Sequence, residues 1–154
     1  MTGDLYDKAK NYAYRLLGFR ARSEKELKSR ISGKGYSKKI AGRVINDLRH
    51  EGLVDDKKFA SDWIRTRLKY NPRSLSVIKY ELLARGIDED IAKKQLGDFA
   101  LDFNEKKIVR AIIKQRISIV AGLDQQKAKQ RLYSFLKRRG FSSEIILKTL
   151  SDTI

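Results

Sequence analysis

Three glycines set at near-equal intervals constrain this chain more than any other feature. Gly35, Gly86 and Gly140 stand 51 and 54 residues apart, and the residues around them recur in kind. Eight positions before each glycine stand Leu27, Ile78 and Leu132, and four before stand Ile31, Leu82 and Leu136. Tyr36, Ile87 and Phe141 follow at once, then Ile40, Ile91 and Ile145 at plus five, and Ile45, Leu96 and Leu150 at plus ten. Agreement at five positions in three windows marks an internal repeat.

The pattern has a direct physical reading. Apolar residues at minus eight and minus four share one face of a helix. The glycine suits the left-handed residue that closes that helix. Two positions later Ser37, Asp88 and Ser142 are good N-caps for a second helix, whose inner face carries the plus five and plus ten residues.

A longer helix is expected before each pair. The first runs from about Asp4 to Leu17 and ends near Gly18, after which Ser23-Glu24-Lys25-Glu26 reads as a capping box. The second starts at Asp55 or Asp56, carries Phe59, Ala60, Trp63, Ile64 and Leu68, and stops at Asn71-Pro72. The third opens at Asn104 or Glu105, carries Ile108, Ile112, Ile113 and Ile117, and is expected to end near Gly122.

The expected fold is therefore all-α: three tandem three-helix repeats spanning residues 1–52, 53–103 and 104–154. A unit of about fifty residues is marginal alone. Stacking on neighbours predicts an elongated, curved arrangement, as in other repeat proteins.

Charge narrows the function. The chain holds 35 Lys and Arg against 19 Asp and Glu, a net of +16, which points to an acidic partner, nucleic acid first. By repeat the net charges are +7, +1 and +8, so the first and last are strongly basic. In the middle repeat Asp55, Asp56, Asp88, Glu89 and Asp90 gather at helix N-termini, where the helix dipole favours them. Arg65, Arg67, Lys69 and Arg73 gather around the end of its long helix, and Lys137, Arg138 and Arg139, with Arg131 two turns earlier, make a basic tip in the third repeat. Helix-end electrostatics or a solvated face account for such clusters equally simply.

Catalytic chemistry is hard to find. There is no cysteine, hence neither a disulfide framework nor a thiolate metal site. The one histidine, His50, reads as a helix C-terminal residue. No Gly-x-Ser-x-Gly elbow and no phosphate-binding P-loop occur. Adjacent acids such as Asp55 and Asp56 point apart on a helix, unlike converging metal ligands. Phe59 and Trp63 fit core packing better than base stacking, whereas Tyr6, Tyr14, Tyr70 and Tyr80 suit edges. A non-enzymatic protein without cofactor or metal is expected. Residues 1–10 are polar rather than a basic stretch followed by an apolar run, and no stretch is long enough to span a membrane, so the cytoplasm is the expected compartment.

The segment from Glu51 to Ala60, Glu-Gly-Leu-Val-Asp-Asp-Lys-Lys-Phe-Ala, closely resembles the hallmark of the RecX regulatory proteins. Trp63-Ile64-Arg65-Thr66-Arg67-Leu68 and Glu81-Leu82-Leu83-Ala84-Arg85-Gly86-Ile87 resemble it too. Arg22-Ser23-Glu24-Lys25-Glu26-Leu27 looks like the family's first-unit motif, and Arg138-Arg139-Gly140-Phe141 matches in the third. The likeness runs from about Leu5 to Leu150. One departure stands out: where the family usually has Gly-Pro followed by Arg-Ile, this chain has Tyr70-Asn71-Pro72-Arg73-Ser74-Leu75.

The resemblance implies a protein that binds the RecA recombinase filament, suppresses its ATP hydrolysis and strand exchange, and also binds single- and double-stranded DNA. On this reading Arg65, Arg67, Lys69 and Arg73 contact RecA, while Arg131, Lys137, Arg138, Arg139, Lys34, Lys38 and Lys39 contact nucleic acid, and the chain is expected to be a monomer. The rival is a helix-turn-helix-like DNA-binding protein without a RecA partner, which would favour one operator and usually dimerise. An adaptor for some other acidic protein is a further alternative.

Overall fold

The computed structural model describes residues 2–100 and 104–154, and the described residues form helices without any strand. In chain order these are α1 (Thr2–Phe19), α2 (Glu24–Gly33), α3 (Lys38–His50), α4 (Asp56–Tyr70), α5 (Leu75–Ala84), α6 (Glu89–Ala100), α7 (Glu105–Arg116), α8 (Gln125–Arg138) and α9 (Ser143–Thr153). The expected boundary at 103/104 touches residues outside those described.

The repeat glycines act as expected. Gly35, Gly86 and Gly140 have φ of 100°, 86° and 91°, and Gly52 joins them at 75°. After Gly86 and Gly140 the chain closes with paired bonds: Ile87 N donates to Leu82 O and Gly86 N to Leu83 O, while Phe141 N donates to Leu136 O and Gly140 N to Lys137 O. This is the Schellman arrangement, which satisfies the last carbonyls of a helix. Ser23, Ser37, Ser142, Asn104 and Asp124 each accept a backbone N–H three residues on, and Asp55 does the same for Lys58.

The expected capping box at Ser23 forms on its serine side. Ser23 Oγ accepts from Glu26 N at 3.2 Å, whereas the Glu26 carboxylate pairs with Arg20 and Arg22. The third long helix is shorter than expected: α7 stops at Arg116, well before Gly122. Ile119 N bonds to Arg116 O, Val120 N to Ile117 O and Leu123 N to Val120 O, a series of tight three-residue turns. Bonds of this i to i+3 kind are common where an α-helix ends.

The chain divides into two compact units, Met1–Asp62 with Leu82–Ala92, and Trp63–Glu81 with Lys93–Ile154. Helices α4, α5 and α6 each contribute residues to both. In the first unit Ala9, Ala13, Leu27, Ile31, Val44 and Leu48 build a core on which α1, α2 and α3 converge. In the second, α7, α8 and α9 enclose Val109, Ile113, Leu132, Leu136, Phe141 and Ile146, and Leu68 of α4 packs against them. The minus eight, minus four and plus ten positions of every repeat are buried, while the plus five isoleucines are half-buried.

Candidate interaction surfaces

The motif residues of the first unit are tied up in folding it. Arg22, 9% exposed, donates to Leu16 O at the end of α1 and to Glu26 at 2.8 Å. Burial works to raise the Glu26 carboxyl, but the hydrogen bonds and charges of Arg20 and Arg22 outweigh it and hold the group below its ordinary range. Ser23, fully buried, caps α2 and donates to Arg85 O at 2.5 Å. Glu51 receives Lys10 Nζ at 2.6 Å and Tyr14 Oη at 2.7 Å, while Tyr6 donates to Asp47. Those bonds lower the Glu51 carboxyl and raise the Lys10 ammonium. Asp56 accepts from Glu24 N at 3.0 Å, and burial pushes its carboxyl up. Thus Asp55 and Asp56 serve as helix-end acceptors. His50 is exposed at the last residue of α3, with Nδ1 2.7 Å from Asn46 O.

Of the first unit's candidate cations, Lys38 and Lys39 are exposed in the opening turn of α3. Lys34 follows α2 and stands over the Tyr12 ring at 5.3 Å. The three flank the Gly35 turn.

The second unit carries the other eight candidates and most of the charge: 19 basic against 7 acidic side chains, a net of +12, where the first unit has 16 against 12, a net of +4. Its centre is Glu81, whose carboxylate is 16% exposed. Glu81 accepts from Trp63 Nε1 at 2.9 Å and Arg67 Nε at 3.0 Å, and Arg73 Nε lies 3.9 Å away. The Arg67 guanidinium also stands 4.8 Å from the Trp63 ring centre. Arg67 and Arg73 are therefore partly spent on the fold; Arg65 and Lys69 are exposed on α4.

Arg139 takes a similar internal part. Its guanidinium donates to Asn71 Oδ1 and Pro72 O, and its carbonyl accepts from Ser74 N at 3.1 Å. Ser74, 1% exposed, caps α5 through Val77 N, and Leu75 N donates to Glu105 at 3.0 Å. The loop whose sequence departs from the family pattern is thus fixed from α8 and α7. Burial, and the charges of Arg73, Arg116 and Arg67, lower the Arg139 pKa. Of these guanidinium groups, Arg67 and Arg73 also reach the Glu81 carboxylate.

Arg131, Lys137 and Arg138 are exposed on α8. Arg131 and Arg138 line a groove of about 510 Å³ beside the end of α7, together with Arg116 and Lys127, which the sequence reading did not single out. The missed signal was the heptad-like recurrence of basic residues on α8, legible only once α7 is known to stop at Arg116. Tyr70 and Tyr80 are exposed at 72% and 74%, as edge residues should be. Among the described residues no group of His, Cys, Asp and Glu could hold a metal ion, and no helix is long and apolar enough to cross a membrane.

Fold and charge together define a class: an all-helical protein of three-helix modules with a strongly basic surface. Residues 9–48, 55–96 and 105–150 match, in order, the first, second and third three-helix domains of RecX, and the chain belongs to the RecX family. It is 32% identical to the regulatory protein RecX of Mycobacterium tuberculosis over 94% of this chain and 84% of that one. It is 28% identical to that of Amycolatopsis mediterranei, over 97% and 85%. The crystal structure of RecX from Lactobacillus salivarius superposes with a TM-score of 0.82 at 22% identity, covering 98% of this chain and 97% of that chain. A second crystal structure of regulatory protein RecX gives 0.78 at 19%, covering 98% and 75%.

Proposed function

We propose that this chain binds the RecA filament and DNA and restrains RecA's ATP hydrolysis, filament growth and strand exchange, acting as a cytoplasmic monomer without enzymatic activity of its own. The observation that carries the reading is family membership across all three modules, matched over residues 9–48, 55–96 and 105–150. The charge of the second unit supports it: a net of +12 suits a polyanionic assembly of protein and DNA.

Arg65 and Lys69, exposed on α4, make the contacts to RecA acids, and Arg67 and Arg73 hold that face in place through Glu81. Arg131, Lys137 and Arg138 meet phosphate, as do Lys34, Lys38 and Lys39 in the first unit. Arg139 supports the DNA-facing tip by fixing the neighbouring loop.

Co-sedimentation with RecA filaments on single-stranded DNA tests the assignment. Arg65→Glu with Lys69→Glu should release the chain from filaments while leaving its binding to naked DNA within about threefold. Equal retention of the variant and the unaltered chain would remove these residues from the RecA contact.

A further inference from the structure

The groove beside α8 carries more than the proposed function asks of it. Its cations sit in a row. Lys127 and Arg131 are one turn apart on α8 and Arg138 lies two turns further, so at 1.5 Å per residue the row spans about 16 Å. Arg116 stands opposite, its guanidinium 3.7 Å from the centre of the Phe135 ring. No Asp or Glu is among the lining residues, so nothing within the groove neutralises these four charges. Gln130 and Ser134 also line the groove, and its apolar side chains are Ile119, 62% exposed, the half-buried Phe135, and the buried Val120 and Leu132.

A cationic row beside an exposed isoleucine and a half-buried phenylalanine ring selects its ligand. Guanidinium forks match the oxygens of a phosphodiester. A duplex keeps its bases stacked inside and would leave Ile119 and Phe135 uncovered. A single strand presents phosphates and unstacked bases together, the combination that single-strand grooves exploit. An acidic peptide would meet the charges but offers no flat apolar faces for these two side chains.

The geometry points to the α7–α8 groove as a binding site for one nucleic-acid strand: Arg116, Lys127, Arg131 and Arg138 hold its phosphates, and the apolar side chains at Ile119 take its bases. This rests on the proposed DNA role and narrows it to one face, adding Arg116 and Lys127 as binding residues.

Fluorescence anisotropy on the full chain, with a labelled oligothymidylate and a labelled duplex of equal length, tests it. Lys127→Glu with Arg131→Glu should lower affinity for the single strand about tenfold or more. Lys94→Glu with Lys148→Glu, the same change in charge on exposed positions elsewhere in the second unit, should lower it by no more than about threefold. Ile119→Ser, which alters no charge, should weaken single-strand binding severalfold and leave the duplex untouched. Unchanged helical circular dichroism would show that the variants fold. Equal losses in the two charge variants would overturn the groove while leaving general DNA binding in place. Capture of labelled polyglutamate in preference to oligothymidylate would overturn it in favour of an acidic peptide. Failure of the unaltered chain to bind either nucleic acid would overturn the DNA role, and the groove with it.

Discussion

Glu81 draws three side chains of the second unit together, because Trp63, Arg67 and Arg73 all turn towards its half-buried carboxylate. Truncating it leaves an indole N–H and two guanidinium groups without that acceptor. Glu81→Ala should cost about 1–3 kcal/mol in urea unfolding. Glu26 offers a pH test in the first unit. Its carboxyl is held below the ordinary value of 4.5, so its contribution is fully present above that value and is lost as pH falls through the lower folded-state value. Glu26→Gln should lower stability at pH 6 to 8 and flatten the acid side of the profile below about pH 4.5. Residue roles were only partly legible. The sequence shows Arg67, Arg73 and Arg139 as members of basic clusters like their neighbours; it cannot show that Glu81 and the Asn71–Pro72 loop, far off along the chain, claim them.

Helix ends were the most legible level, since capping depends on residues within a few positions of each other. Gly35, Gly86 and Gly140 stop their helices as the repeat predicts, and the serine and asparagine caps fall where expected. The glycines are not equivalent, however. A Cβ on Gly140 would meet Val77 Cγ2 at 2.2 Å and Ser74 Oγ at 2.7 Å, whereas one on Gly35 would meet nothing within 4 Å. Gly140→Ala should therefore cost about 2–4 kcal/mol, and Gly35→Ala about 1–2 kcal/mol, from backbone strain alone. Thermal unfolding of the two variants side by side reads the difference, and equal losses would contradict the packing around Gly140. What eluded sequence reading was the end of α7. Ile117 continues the apolar period, so spacing alone carries the helix on towards Gly122, whereas the backbone passes into three-residue turns from Arg116 on.

At the scale of the molecule, the three-module order was legible because each module repeats one pattern, and three family domains follow one another at residues 9–48, 55–96 and 105–150. The charge distribution was less so. Counting by repeat makes the two ends nearly equal, at +7 and +8, but compact folding assigns α4 residues from Trp63 on to the second unit, which then holds a net of +12. A surface of that kind should bind DNA with strong salt dependence. If about six phosphates are neutralised, log affinity for duplex should fall against log salt with a slope near −5, and a slope near zero would remove the DNA role while sparing the RecA role. The most direct measurement is RecA's ATP hydrolysis on single-stranded DNA as this chain is titrated in. The account predicts that hydrolysis falls at stoichiometric or lower ratios to RecA, and undiminished hydrolysis at excess chain would contradict it.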